Sequence, residues 1–264
     1  MSIKSKIKID RDMKKELYIA FATQKGGIGK TSVTVLVASY LHYVKGYNVA
    51  VIDCDYPQNS IMEIRTREEN LIEHNDYFKV QAFNQIKKLG KAIYPIVDSN
   101  AVDALRDAER LIEDEVVKPD IVLFDLPGTI KSEGVLSTLS AMDYIFTPIS
   151  ADRLVVESSI QFVSMFNESL VTTGIAKTKG IHLFWTMVDK RERSELYETY
   201  DKIIEDMGLS TLKTLLPDSK RFRRDISEGK KSVFRSTIFP IDTASRKGSG
   251  ISELVDEICE IIKP

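Results

Sequence analysis

Two lysines, Lys25 and Lys30, flank a glycine-rich stretch that reads Ala22-Thr23-Gln24-Lys25-Gly26-Gly27-Ile28-Gly29-Lys30-Thr31-Ser32. Residues of these types at this spacing suit the binding of phosphate. Glycines let backbone N–H groups converge on phosphate oxygens without Cβ clashes. A helix that starts at the end of the stretch adds free N–H donors and the positive end of its dipole. Lys30 can reach the outer phosphates, and the Thr31 hydroxyl can ligate Mg²⁺. The usual loop, G-x-x-x-x-G-K-[ST], opens on glycine, and here that position is Gln24. Lys25 adds a second cation. A lysine there can place charge on the phosphate oxygens where transition-state charge develops.

Carboxylates supply the other half of such chemistry. Asp125 closes the apolar run Ile121-Val122-Leu123-Phe124. In phosphate-loop ATPases a carboxylate at that place holds Mg²⁺, often through water; an ordinary strand-terminal Asp starting a turn is the plain alternative. Gly128, just after it, could let the backbone approach a γ-phosphate, with a simple Pro-Gly turn as rival. Asp53 and Asp55 lie two apart after another apolar run, so both can face one site. Asp55 is the candidate to orient an attacking water, and Asp53 to support the loop and the metal. A pair of solvated turn carboxylates is the alternative.

The elements that must position these groups are legible as periodicity. Residues 17–21, 47–52, 121–124, 144–148 and 181–186 are short apolar runs that read as buried strands. Residues 31–45, ending near Gly46, read as a helix, as do 60–75, 152–170, 193–207 and 249–263. Between 99 and 117, Val102, Leu105, Ala108, Leu111 and Ile112 recur at helical spacing opposite a charged face. Asp76 to Phe83 reads as a short strand. The alternation predicts an α/β fold: a three-layer, doubly wound, mostly parallel sheet with helices on both faces. Ligands of such sheets sit at the carboxyl ends of strands, where the glycine loop, Asp55 and Asp125 all fall.

Composition narrows the class. The 264 residues are 43% hydrophobic and 29% charged, ordinary for one large globular domain, here 16–264. Residues 1–15, with Lys4, Lys6, Lys8, Arg11, Lys14 and Lys15, read as a flexible basic arm without the apolar segment of a signal peptide. No apolar run approaches the length of a membrane span, so the expected location is cytoplasmic. Cys54, Cys259 and the three histidines show no metal-ligand spacing, and reduced thiols are expected. Net charge is −2, so any attraction to nucleic acid must be local. Residues 213–247 hold ten basic residues against four acidic ones, a local balance of +6. That patch, with Lys220, Arg221, Arg223 and Arg224 at its centre, suits salt-sensitive contacts to DNA phosphates. The alternatives are a solvated charged face, or residues lining a nucleotide or dimer site.

Lys25-Gly26-Gly27-Ile28-Gly29-Lys30-Thr31-Ser32 resembles the deviant Walker A motif of the ParA/MinD ATPases, which have the P-loop NTPase fold. Asp53-Cys54-Asp55-Tyr56-Pro57-Gln58 resembles the family's D-x-D-P-Q segment with Tyr56 inserted. Asp125-Leu126-Pro127-Gly128 resembles its D-x-P-P-G segment with one proline missing. Thr186-Met187-Val188-Asp189, Leu216-Pro217 through Gly229-Lys230, and Ser245-Arg246-Lys247-Gly248 are similar to later family segments, in family order. The D-C-D-x-P-Q wording is reminiscent of ParA-type proteins of conjugative elements. The resemblance implies a slow, partner-stimulated, Mg²⁺-dependent ATPase that forms an ATP-bound homodimer, with Lys25 reaching the partner's phosphates. It implies nucleotide contacts from residues 25–32 and from Met187, Asp189 and Pro217. It implies catalytic roles for Lys25, Lys30 and Asp55, and metal binding by Thr31 and Asp125, with Asp53 as a further candidate. It also implies nonspecific DNA binding, nucleoid association when ATP is bound, a cargo-bound ParB-like partner, and work in plasmid, chromosome or mobile-element segregation.

Other readings of the same loop remain. A MinD-like membrane-cycling ATPase needs a basic amphipathic C-terminal helix, but Glu253, Asp256, Glu257 and Glu260 outnumber Lys263 here. A small-molecule ligase on this fold would not call for the T-M-x-D and S-K-G segments. An iron–sulfur reductase would need paired cysteines. An ATP-binding scaffold with negligible hydrolysis is left open by the inserted Tyr56.

Overall fold

The computed structural model describes residues 16–189, 191, 194–227 and 232–264. The basic arm at 1–15 and the Gly229-Lys230 pair lie outside the described residues. Seven strands form one sheet: β1 Leu17–Phe21, β2 Val49–Asp53, β3 Ile96–Asp98, β4 Ile121–Asp125, β5 Tyr144–Ile149, β6 Gly180–Trp185 and β7 Ser210–Thr211. Their order is β3-β2-β4-β1-β5-β6-β7, and every ladder among them is parallel. The main helices are α1 Lys30–Tyr40, α2 Ser60–His74, α3 Asp76–Leu89, α4 Ala104–Asp114, α5 Val135–Ser140, α6 Arg153–Phe166, α7 Ser194–Asp206, α8 Thr243–Arg246 and α9 Ile251–Ile262.

The central strands are continuous apolar runs because both faces are covered. Side chains alternate between the two layers, as strand geometry requires. Ile19, Phe21, Val49, Val51, Ile121 and Leu123 join α1, α2 and α9 in one core. Ala20, Ala50, Ile52, Val122 and Phe124 join α4, α5, α6 and α7 in the other. The apolar face of α9 (Ile251, Leu254, Val255, Ile258, Ile262) is fully engaged in the first core. No described helix is long and apolar enough to cross a membrane.

Three expectations change. Residues 76–89 are helix α3, where a short strand is the sequence-based expectation. The Asn75 side chain accepts hydrogen bonds from the amides of Tyr77 and Phe78, and Gly90 closes the other end with φ 61°. These caps decide the helix against aromatic and β-branched residues that favour strand. The amphipathic helix starts at Ala104 rather than Ser99, because the Asn100 side chain accepts from the amides of Val102 and Asp103 and makes a turn first. The short strands β3 and β7 form the two edges of the sheet; the apolar run 92–97 leads into β3, and no apolar run announces β7. Gly46, by contrast, closes the first helical segment with φ 85°, as expected.

A buried polar network ties residues 236–239 to α1 and α2. Arg65 donates to Thr237 Oγ1 and to the carbonyls of Tyr94 and Thr237. Glu68 accepts from the Thr237 amide and hydroxyl, while its Oε1 has no partner. Burial pushes the Glu68 carboxyl up to about 7 from an ordinary 4.5. The folded chain therefore holds a proton that the unfolded chain releases. This contribution to stability is fully present below about pH 4.5 and is lost as pH rises through 7. Glu68→Gln should remove that slope: its stability relative to the native chain rises by on the order of 2 kcal/mol between pH 5 and pH 8. Chemical denaturation at the two pH values measures this, and an unchanged difference would refute the proton assignment.

Candidate functional site

Strand β1 ends at Phe21 and α1 begins at Lys30, so the glycine loop spans the carboxyl edge of the sheet. Gly27 and Gly29 have φ of 83° and 85°, the left-handed region that glycine adopts without strain. Thr23 braces the loop through its hydroxyl, which pairs with both the amide and the carbonyl of Lys25. Register sets the level of the acids: Asp125 is opposite Phe21 on one side and Asp53 on the other. Both carboxylates thus stand beside the loop.

Asp125 is the hub. Lys30 Nζ lies 2.8 Å from its Oδ1, with side-chain exposures of 7% and 0%. Thr31 Oγ1 donates to Oδ2 at 2.7 Å, and Thr34 Oγ1 donates to Oδ1 at 3.2 Å. The Thr31 hydroxyl and the Asp125 carboxylate are adjacent hard oxygen donors, which fits Mg²⁺. Among the described residues no group of three His, Cys, Asp or Glu could hold a metal by itself.

Asp53 is fully buried. Its Oδ2 accepts from the amides of Ile61 and Met62 in the first turn of α2, and its Oδ1 has no partner. Burial raises its carboxyl to about 6, with the Asp125 charge adding to the effect. Asp53 therefore ties the first turn of α2 to the end of β2. Burial also raises the Asp55 carboxyl, against the pull of Lys30. Its carbonyl accepts from the amides of Gln58 and Asn59, which closes a tight turn around Tyr56 and Pro57. Asp55, Tyr56 (68% exposed), Gln58 and Ser60 form one wall of a cleft above the loop, and Pro127, Gly128 and Thr129 belong to another. Gly128 packs on the loop itself: a Cβ there would lie 3.5 Å from Gly26 Cα. Lys25 is exposed at this cleft, and among the described residues it has no ion-pair partner.

A second, more apolar pocket adjoins the cleft. Ile28, Val33, Met187, Leu216, Pro217 and Phe222 give it flat and aliphatic walls suited to a nucleotide base. It is assembled by tertiary pairing. The Thr186 hydroxyl bonds to the Ile28 carbonyl, and Val188 bridges Pro217 in parallel. Met187 sits at φ 54° with its methyl 3.9 Å from a Cβ placed on Gly29. Asp189 is not part of the lining. Arg191 holds it at 2.6 Å and keeps its carboxyl down at about 2. Asp218, Ser219 and Phe222 line the pocket without a sequence signal of their own, and Arg223, expected at DNA, lines it too.

The basic patch divides. Arg221 donates to the carbonyls of Ser245, Lys247 and Gly248 and lies over the Phe234 ring at 5.5 Å, so it anchors the chain before α9. Arg223 faces the nucleotide pockets. Lys220 and Arg224 are exposed. Arg235 bonds to Ser32 and Asp225, and Arg246 to Tyr40. Cys54 is buried and Cys259 half-buried; both are free thiols, raised by burial.

Known proteins share this fold. The chain matches the model of the CobQ/CobB/MinD/ParA nucleotide binding domain over residues 19–233. It is 28% identical over 183 residues to the chromosome-partitioning ATPase Soj of Thermus thermophilus, covering 66% of this chain and 70% of Soj. Its fold is similar to a plasmid partition protein of Borrelia burgdorferi solved with AMPPNP (TM-score 0.54, 19% identity, 95% and 99% of the two chains). It is similar as well to pNOB8 ParA bound to nonspecific DNA (TM-score 0.63, 18% identity, 94% and 99%). Because that nucleotide-binding domain spans most of its length, the chain belongs to the ParA/MinD family of P-loop nucleotide-binding proteins.

Proposed function

We propose that this protein is a Mg²⁺-dependent partition ATPase that dimerises on ATP, binds DNA without sequence preference in that state, and segregates or positions plasmid, chromosome or mobile-element DNA. One observation carries the reading. The loop holds two lysines in opposite settings: Lys30 is buried on Asp125, whereas Lys25 is exposed at the cleft and unpaired among the described residues. Lys30 serves the nucleotide bound in its own chain. Lys25 is free to reach phosphates held by a second copy. Bound Mg²⁺ would place positive charge beside the phosphate oxygens, and Thr31 and Asp125 would hold it. Asp55 orients the attacking water, and Met187 and Pro217 hold the base; Asp189 supports that segment from outside the pocket.

The names of the relatives point the same way: a partition ATPase, a partition protein with an ATP analogue, and a ParA on nonspecific DNA. A ParB-like partner on the cargo would stimulate hydrolysis. A membrane-cycling role finds less support, because the apolar face of α9 is already buried in the core.

Lys220 and Arg224 are exposed residues of the basic patch that line neither pocket and can meet DNA phosphates. Changing both to Glu should weaken ATP-dependent DNA binding and reduce the salt slope by about two contacts, with ATP affinity unaltered. Fluorescence anisotropy over a salt series reads both quantities. An unaltered affinity and slope would move the DNA surface elsewhere.

A further inference from the structure

Two arginines approach the first turn of α1, and their surroundings differ. Arg235 donates to Ser32 Oγ at 2.7 Å, and its charge is met by Asp225 at 2.7 Å. Arg223 is exposed and, among the described residues, has no ion-pair partner. It closes the short 3₁₀ turn Lys220–Arg223. That turn is fixed from behind, by Arg221 on three carbonyls and by Phe222 against Phe234 at 5.2 Å. Its placement is therefore set by the fold, and its exposed side chain lies at both pockets.

Arg223 lines both the base pocket and the phosphate cleft. Only Gly29 and Ser32 share that property with it among the described linings. A ligand group that touches all three lies between the base and the outer phosphates. In a nucleotide, that group is the ribose and the α-phosphate. Lys30 serves the outer phosphates, so the inner phosphate otherwise meets backbone amides and the Ser32 hydroxyl.

We propose that Arg223 contacts the α-phosphate of the bound nucleotide, holding nucleoside di- and triphosphates alike rather than sensing the γ-phosphate. This inference rests on the nucleotide-binding reading above. A guanidinium suits the role because it offers several donors in a fixed plane to phosphate oxygens.

The test compares the affinities of fluorescent ATP and ADP analogues for the native chain, Arg223→Ala, Arg223→Lys and, as an exposed arginine outside both pockets, Arg153→Ala. Arg223→Ala should weaken both nucleotides equally, by about 10- to 100-fold, as expected of a hydrogen bond to a charged group. Arg223→Lys should recover part of the loss, and Arg153→Ala should bind like the native chain. Circular dichroism melts without nucleotide should match, because Arg223 is exposed. Native nucleotide affinity in Arg223→Ala, with weaker DNA binding at saturating ATP, would make Arg223 a DNA contact and overturn the proposal. A loss for ATP alone would also overturn it, because the contact would then be to the γ-phosphate. Failure of the native chain to bind either nucleotide would instead overturn the reading on which the proposal rests.

Discussion

Lys30→Ala should bind ATP at least about 100-fold more weakly than the native chain, and it should melt at a lower temperature even without nucleotide. The two effects share one cause. Lys30 Nζ sits 2.8 Å from Asp125 Oδ1 in a setting almost closed to water. Removing one partner of a buried pair costs about 3–5 kcal/mol, because the remaining charge is left buried. The hydroxyls of Thr31 and Thr34 still donate to Asp125, so the lower end of that range applies. For a chain of this size the melting temperature should fall by roughly 5–15 °C. Asp125 would also lose the cation that balances it beside incoming phosphate. Calorimetric titration with ATP, after circular dichroism confirms the fold, is the measurement. Native affinity in a folded Lys30→Ala would defeat the assignment of the loop.

Asp55→Ala should keep ATP affinity within a few-fold and lower turnover by about 10²- to 10⁴-fold, the range for loss of a positioned acid–base group. Asp55 lines the cleft, and among the described residues its carboxylate makes no hydrogen bond that braces the fold. Burial raises its carboxyl above the ordinary 3.8, and Lys30 partly opposes that. A carboxylate that accepts a hydrogen bond from water must be ionised. Native turnover should therefore fall on the acid side at a pH above 3.8, and Asp55→Asn should lack that limb. Steady-state phosphate release across pH 4 to 8 reads both. Unchanged turnover in Asp55→Ala would remove Asp55 from the water-orienting role.

The parallel sheet is legible in the sequence because its central strands are buried on both faces and so are apolar without interruption. The ends of those runs also mark where Asp53, Asp125 and the glycine loop must lie. Legibility fails where a single side-chain or long-range contact decides. Helix α3 looks like a strand by residue type, and the side chain of Asn75 settles the matter locally. The base pocket depends on Val188 pairing with Pro217, a contact between segments far apart in sequence. Charge counting treats Arg221, Arg223 and Arg224 alike. The fold gives one to backbone carbonyls, one to the nucleotide pockets and one to solvent. Asp189 is similarly invisible as a partner of Arg191 until the turn after β6 brings them together.

The claim that nucleotide switches this chain between states is tested most directly by light scattering of the native protein with and without a short DNA duplex, in ADP and in a nonhydrolysable ATP analogue. The account predicts a monomer in ADP that leaves the duplex free, and a dimer in the ATP analogue that co-elutes with it. A monomer in both nucleotides, or equal DNA binding in both, would contradict it.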